Sequence, residues 1–298
     1  MNRPVVVGVD GSPSSLVAAE HAARAAVLRS RPLLLVHGYL HLSGYGVPLN
    51  PYDLGVPAPS EEAQQMLERA AAELTGRWPG LAVEVRQVLG GPGATMIEES
   101  RRAELVVVGS RGLGGFVGLL LGSVGTQVAA HAHCPVLVVR PDEQPIPLDG
   151  PVLVGVDGPV LVGVDGSESS RLAVGLGADE AALRDVPLVL VHVGPSDGDR
   201  AVPEEIEESQ AAYQAEAVRL LADASAVARA EHPDLVVREH PVRAAGAAQG
   251  LIQASGTASL LVVGTRGRAG FAGLLLGSVS QAAIQHAHCP VLVAHPVS

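Results

Sequence analysis

Two short patterns carry the residue types that could do chemistry. An aspartate closes an apolar run and is followed by a turn and a hydroxyl, Val9-Asp10-Gly11-Ser12. Farther on, Gly109-Ser110-Arg111-Gly112 is followed by nine residues and then Gly122-Ser123-Val124. Glycines let backbone amides come close to an anion, and Gly122-Ser123 opens a helical pattern whose positive end favours phosphate. The chemistry that fits is the holding of a phosphorylated ligand beside one carboxylate. Both patterns return, as Val164-Asp165-Gly166-Ser167 and as Gly264-Thr265-Arg266-Gly267, nine residues, Gly277-Ser278-Val279.

Other residues suit different chemistry less well. His131-x-His133-Cys134 and His286-x-His288-Cys289 contain metal-ligand types. Residues two apart on a helix point to different sides, and Pro135 or Pro290 ends the element at once. Cys134 is therefore expected to enter a buried strand as a small hydrophobe. Asp10 or Asp165 as an acid or base would need a second carboxylate at a repeated position, and neither half supplies one. His37 lies at a neighbouring strand end, where a base would sit, but no nucleophile or leaving-group donor accompanies it. Glu204-Glu205-Ile206-Glu207-Glu208 reads as a solvated, dipole-favoured first helical turn.

Composition narrows the field. The chain has 298 residues, about two domains' worth by length. It is 47% hydrophobic and 17% charged, enough to bury sizeable cores. All 20 basic residues are arginine, so P-loop, Schiff-base and general-base lysines are excluded. A net charge of −11 and 2% aromatic residues argue against a nucleic-acid binder. Two cysteines are too few for a disulfide framework, the start has no signal-peptide run, and no apolar stretch nears the ~18 residues of a membrane span. A cytoplasmic protein is expected.

The elements that must position these residues are written twice. Leu35-Val36-His37 returns as Leu190-Val191-His192, and His131 to Pro135 returns as His286 to Pro290, each at an offset of 155. The joint falls in the Asp, Pro and Gly-rich stretch from Pro141 to Gly150, giving domains 1–145 and 146–298. In the first half, strands are expected at Val5 to Val9, Pro32 to His37, Leu81 to Leu89, Leu105 to Val108 and Val136 to Arg140. Helices are expected over Ser14 to Leu28, Glu61 to Arg77, Ala94 to Arg101, and from Gly122 to about Ala132. A proline-rich loop is expected over Pro48 to Pro59. Ser12 before Pro13 is a cap followed by a proline at the first helical position. Short apolar strands separated by helices imply α/β domains, each an open doubly wound parallel sheet of five strands. Ligands bind such sheets beyond the carboxyl ends of the strands where strand order reverses, which is where Asp10 and the glycine loop converge. An octapeptide is also doubled: Pro151 to Gly158 is followed at once by Pro159 to Gly166. Only the second copy keeps the offset, so Val160 to Val164 is expected as the strand and 151–158 as linker.

At this level the chain resembles the universal stress proteins. Their ATP-binding subclass carries an Asp after strand one and G-x2-G-x9-G-[S/T] after strand four, and both halves match that spacing. The resemblance covers essentially the whole chain and looks like the tandem actinobacterial architecture, on a Rossmann-like fold of the adenine nucleotide alpha hydrolase type. It implies that Asp10 and Asp165 face the ribose or phosphates and that Gly8 and Gly163 leave room beneath the nucleotide, beside Val9 and Val164. It implies that His37-Gly38 and His192-Val193 hold the adenine edge. Gly109, Ser110, Arg111, Gly112, Gly114, Gly122, Ser123 and Val124 would cradle the phosphates. Gly264, Thr265, Arg266, Gly267, Gly277, Ser278 and Val279 would do so in the second half. Magnesium bridged through the phosphates, unidentified regulatory protein partners in stress or slow growth, and slow hydrolysis at most are further implications. Its last strands, Val136 to Val139 and Val291 to Val293, would be sheet edges, so a domain pair or homodimer through them is expected. A weak ATPase or nucleotide-transferring enzyme on the same fold is the alternative, although the Ser-Gly-Gly loop or His-x-Gly-His motif of such enzymes is missing. An interaction scaffold without nucleotide is the third reading, and the intact loops oppose it.

Overall fold

The computed structural model describes residues 3–39, 59–112, 122–140, 158–196, 203–267 and 275–296. The chain divides into two compact units, Met1–Pro145 and Ile146–Pro296. In the first, the elements run β1 (Val5–Gly8), α1 (Pro13–Leu28), β2 (Leu33–Tyr39), α2 (Glu61–Arg77), β3 (Val83–Leu89), α3 (Pro92–Glu99), β4 (Leu105–Gly109), α4 (Ser123–His131) and β5 (Val136–Val139). In the second they run β6 (Val160–Gly163), α5 (Glu168–Arg184), β7 (Leu188–Pro195), α6 (Pro203–Glu231), β8 (Val237–Ala244), α7 (Ala247–Ala254), β9 (Leu260–Gly264), α8 (Ser278–His286) and β10 (Val291–Ala294).

Strand order within the first unit is β3-β2-β1-β4-β5 and within the second β8-β7-β6-β9-β10. The pairings are parallel, with Val5 opposite both Leu33 and Leu105, and Val160 opposite both Leu188 and Leu260. Val5, Val6 and Val7 are buried because α1 and α2 cover one face of the sheet while α3 and α4 cover the other. A strand shielded on both faces needs a continuous apolar run, and that is what the sequence supplies there. The edge strand β3 instead alternates, with Glu84, Arg86 and Leu89 outward. Strand order reverses between β1 and β4, and between β6 and β9, so the carboxyl ends of those strands open on one crevice in each unit.

One boundary differs instructively from expectation, and one helix is longer than its counterpart. Helix α3 starts at Pro92, not Ala94, because proline's fixed φ suits the first helical position. Helix α6 runs for 29 residues against 17 in α2. The central strand β6 is formed by the second octapeptide copy; residues 151–157 lie outside the described residues, as does most of the expected loop from Pro48 to Pro59.

Candidate functional site

The end of β1 is built around Asp10. Its Oδ1 accepts the Ser12 amide at 2.9 Å, and its own amide donates to Ser15 Oγ at 3.3 Å. Ser12 in turn caps α1, its Oγ accepting from Ser15 N at 3.2 Å. Gly11 makes the turn at φ +82°, a backbone that side chains rarely adopt. The second unit repeats this. Asp165 Oδ1 accepts from Ser167 N at 2.9 Å, Ser167 Oγ caps α5 through Ser170 N at 3.1 Å, and Gly166 has φ +78°. The turn thus holds the carboxylate by one oxygen and aims the other.

That second oxygen lies against the glycine loop. A Cβ at Gly112 would sit 2.6 Å from Asp10 Oδ2, and one at Gly267 would sit 2.6 Å from Asp165 Oδ2. The two motifs, about a hundred residues apart in sequence, therefore meet at the switch point in each unit. Gly109 and Gly264 are close approaches too, since a Cβ there would meet the backbone oxygen of Ser14 at 2.8 Å or of Ser169 at 2.7 Å. The loop ends are tied together by Gly122 N donating to Ser110 O and by Gly277 N donating to Thr265 O, both at 2.7 Å. Ser14 Oγ accepts from Arg111 N and Ser169 Oγ from Arg266 N, both at 3.3 Å.

Gly122 and Gly277 are the N-caps of α4 and α8, and no side chain caps either helix. The first-turn amides, beginning at Ser123 and Ser278, are consequently left for water or a ligand. An anion there is favoured by the helix dipole. On the other flank, His37 Nδ1 pairs with Val9 O at 2.8 Å and His192 Nδ1 with Val164 O at 2.7 Å. Each imidazole is thereby pinned to the backbone of the central strand.

In the second unit these groups enclose an open cleft of about 540 Å³, counting its solvent-filled mouth. Of the residues singled out in the sequence, Gly163, Val164, Asp165, His192, Val193, Gly264, Arg266, Gly267 and Val279 line it, while Thr265, Gly277 and Ser278 stand behind at the loop end and first turn of α8. Among the described lining residues Asp165 is the single carboxylate and Arg266 the single permanent cation. Gly114 lies outside the described residues.

Sequence reasoning missed several groups that line the cleft or back its walls. Ala247 and Leu251 of α7 form one wall, and Ser280, whose Oγ donates to Gly264 O at 2.6 Å, stands in the first turn of α8. Tyr213 stacks on His192 with ring centroids 5.7 Å apart, and its hydroxyl reaches Val242 O at 2.9 Å. Burial raises the phenol's pKa, which keeps it a donor. A Cβ at Gly194 would fall 2.1 Å from that ring, so glycine is what admits it. The offset comparison could have exposed Ser280, which replaces Gly125, but Tyr213 leaves no local signal.

Among the described residues, the His-x-His-Cys segments form no group of three metal-capable side chains. Among the described residues, the one group of three metal-capable side chains is Asp179, Glu231 and His232. Cys134 is fully buried, and burial pushes its thiol up to about 12.

Comparison with known proteins places this architecture. The chain matches the universal stress protein family twice, over residues 1–140 and 152–295. It is 38% identical over 299 residues to a universal stress protein of Mycobacterium tuberculosis, covering 97% of this chain and 95% of that one. A second from that species is 40% identical over 302 residues, at 97% and 96% coverage. One from Mycolicibacterium smegmatis is 36% identical over 303 residues, at 98% and 97%. A solved universal stress protein from Archaeoglobus fulgidus shares the fold, with TM-score 0.68 at 19% identity and complete coverage of both chains. A doubly wound sheet with the same aspartate turn and glycine loop in both halves, matched along its length by these relatives, identifies the chain as a tandem-domain member of the universal stress protein family.

Proposed function

We propose that each half of this chain binds one ATP, and that the protein is a cytoplasmic, non-catalytic regulator whose nucleotide state is read by other proteins during stress or slow growth. The observation that carries the reading is the meeting of Asp165 Oδ2 and Gly267 across the switch point, at the mouth of a cleft that runs to the uncapped start of α8. Triphosphate oxygens fit the first-turn amides of Ser278 and Val279, and Arg266 offsets part of their charge. Like charges repel, so the Asp165 carboxylate suits the ribose hydroxyls, which donate to it. The base then falls toward the apolar wall of Val193 and Leu251. Asp10, Gly112, Arg111, Gly122 and Ser123 form the corresponding set in the first half. Magnesium would be held through the ATP phosphates, not by a ligand set of the chain, and would supply further charge neutralisation there.

Non-catalysis follows from what surrounds the ligand. Hydrolysis at an ordinary rate needs a positioned base or water-orienting group as well as charge stabilisation. Among the described lining residues one carboxylate and one histidine are present, and the histidine Nδ1 is committed to Val164 O. Equilibrium titration with magnesium and ATP should give two bound nucleotides per chain. Steady-state phosphate release should stay well below about 1 s⁻¹, the lower end of common turnover numbers. Turnover above that would favour the enzymatic alternative. A homodimer belongs to the same proposal and is read by light scattering.

A further inference from the structure

One pair of facing positions is exchanged between the halves. In the first, β2 carries Gly38 and α3 carries Thr95; at the same offset in the second, β7 carries Val193 and α7 carries Gly250. Each pair has room for one side chain. A Cβ at Gly38 would lie 3.1 Å from Thr95 Oγ1 and 2.9 Å from Pro92 Cα, while a Cβ at Gly250 would lie 2.7 Å from Val193 Cγ1. The helix thus packs closely on the strand end in both units. The atom presented there changes from a hydroxyl to methyl groups.

The hydroxyl is in an unusual state. Thr95 is only 5% exposed, and its Oγ1 makes no hydrogen bond among the described residues. Yet no buried side-chain oxygen there is both sealed from solvent and unbonded, so Oγ1 keeps a narrow opening. A buried hydroxyl without a partner is costly unless water or a ligand completes it. In the second unit Val193, the counterpart of Gly38, lines the cleft.

We infer that the two clefts read the base end of their nucleotide differently: the first with a hydrogen bond from Thr95 Oγ1, the second through the methyl surface of Val193. This rests on the nucleotide reading above and deepens it, making position 95 a determinant of affinity in one half only. The second cleft takes the base by shape and apolar contact, so it gains nothing from a polar edge at that point.

The test uses the full chain with Gly267→Val, which crowds Asp165 and leaves the first cleft to be titrated alone. Thr95→Val removes the hydroxyl at constant shape, and Thr95→Ser keeps it. ATP and inorganic tripolyphosphate, which has no base, are the probes. The expected result is that Thr95→Val weakens ATP about 5- to 10-fold, as loss of one net hydrogen bond does. Thr95→Ser should restore ATP to within about twofold of that background, and tripolyphosphate should be unchanged by either. An unchanged ATP affinity in Thr95→Val overturns the inference while leaving the nucleotide reading intact. Equal weakening of both probes also overturns it, by showing a role in packing alone. Failure of the unsubstituted protein to bind ATP overturns the nucleotide reading and this inference with it.

Discussion

Adding one methyl group at Gly267 tests how the site is assembled. In Gly267→Ala the new Cβ would lie 2.6 Å from Asp165 Oδ2, nearly 1 Å inside the ~3.5 Å at which heavy atoms attract best. Either the loop after β9 backs away or the carboxylate swings out, which strains the 2.9 Å bond that Oδ1 accepts from Ser167 N. Overpacking of this kind costs about 1–3 kcal/mol. Asp165 borders an open cleft and can move into it, so we expect the low end, about 1 kcal/mol, or roughly 2–4 °C in Tm for a unit of this size. Binding should suffer more. A carboxylate moved off the ribose loses one charge-assisted hydrogen bond, worth about 1.5–3 kcal/mol, or about 10- to 100-fold in affinity. Calorimetric titration should therefore show one tight site instead of two, and Gly112→Ala should remove the other in the same way. Unchanged affinity at both sites in Gly112→Ala/Gly267→Ala, with Tm lowered as expected, would refute the placing of a ligand between Asp and loop.

Three further outcomes follow from the packing. Burial, aided by the nearby Arg24 charge, lowers the pKa of His21 from 6.5 to about 4, so the unfolded chain takes up a proton in that window and the folded one does not. Stability from this group is complete above pH 6.5 and is lost as pH falls toward 4; for a half-buried ring we expect about 1–2 kcal/mol, and His21→Leu, the residue at the same place in the second repeat, should flatten that part of a urea-midpoint profile against pH. Cys134, its thiol held at about 12 by burial, should resist iodoacetamide at pH 8 in native protein and react fully in urea. Ser167→Ala removes the cap on α5 and should cost about 1 kcal/mol in chemical denaturation, with Ser167→Thr retaining most of it.

The sequence carried more of the fold than of the site's walls. Strand one of each half was legible because a strand covered on both faces must be apolar throughout, and Asp10 was legible because a carboxylate closing such a run, before a glycine and a capping serine, breaks the pattern. The glycine loop was legible from its repetition. The cleft wall was not, because Ala247 and Leu251 look like ordinary helix residues, and only packing against β7 makes them a surface for a ligand. Tyr213 lies nearly three turns into α6 and meets Gly194 and His192 across the fold, a contact without local periodicity. The exchange of Gly38 and Thr95 for Val193 and Gly250 was half visible: one difference could be read at the offset, but its compensation is 57 residues away along the chain and becomes legible only when strand and helix are side by side.

The central claim is most directly tested by the nucleotide carried by protein purified without added ligand, released by denaturation and identified by chromatography of the supernatant. The account predicts adenine nucleotide approaching two ATP per chain, one from each cleft. No nucleotide in the supernatant, together with no binding when ATP and magnesium are titrated in, would contradict it.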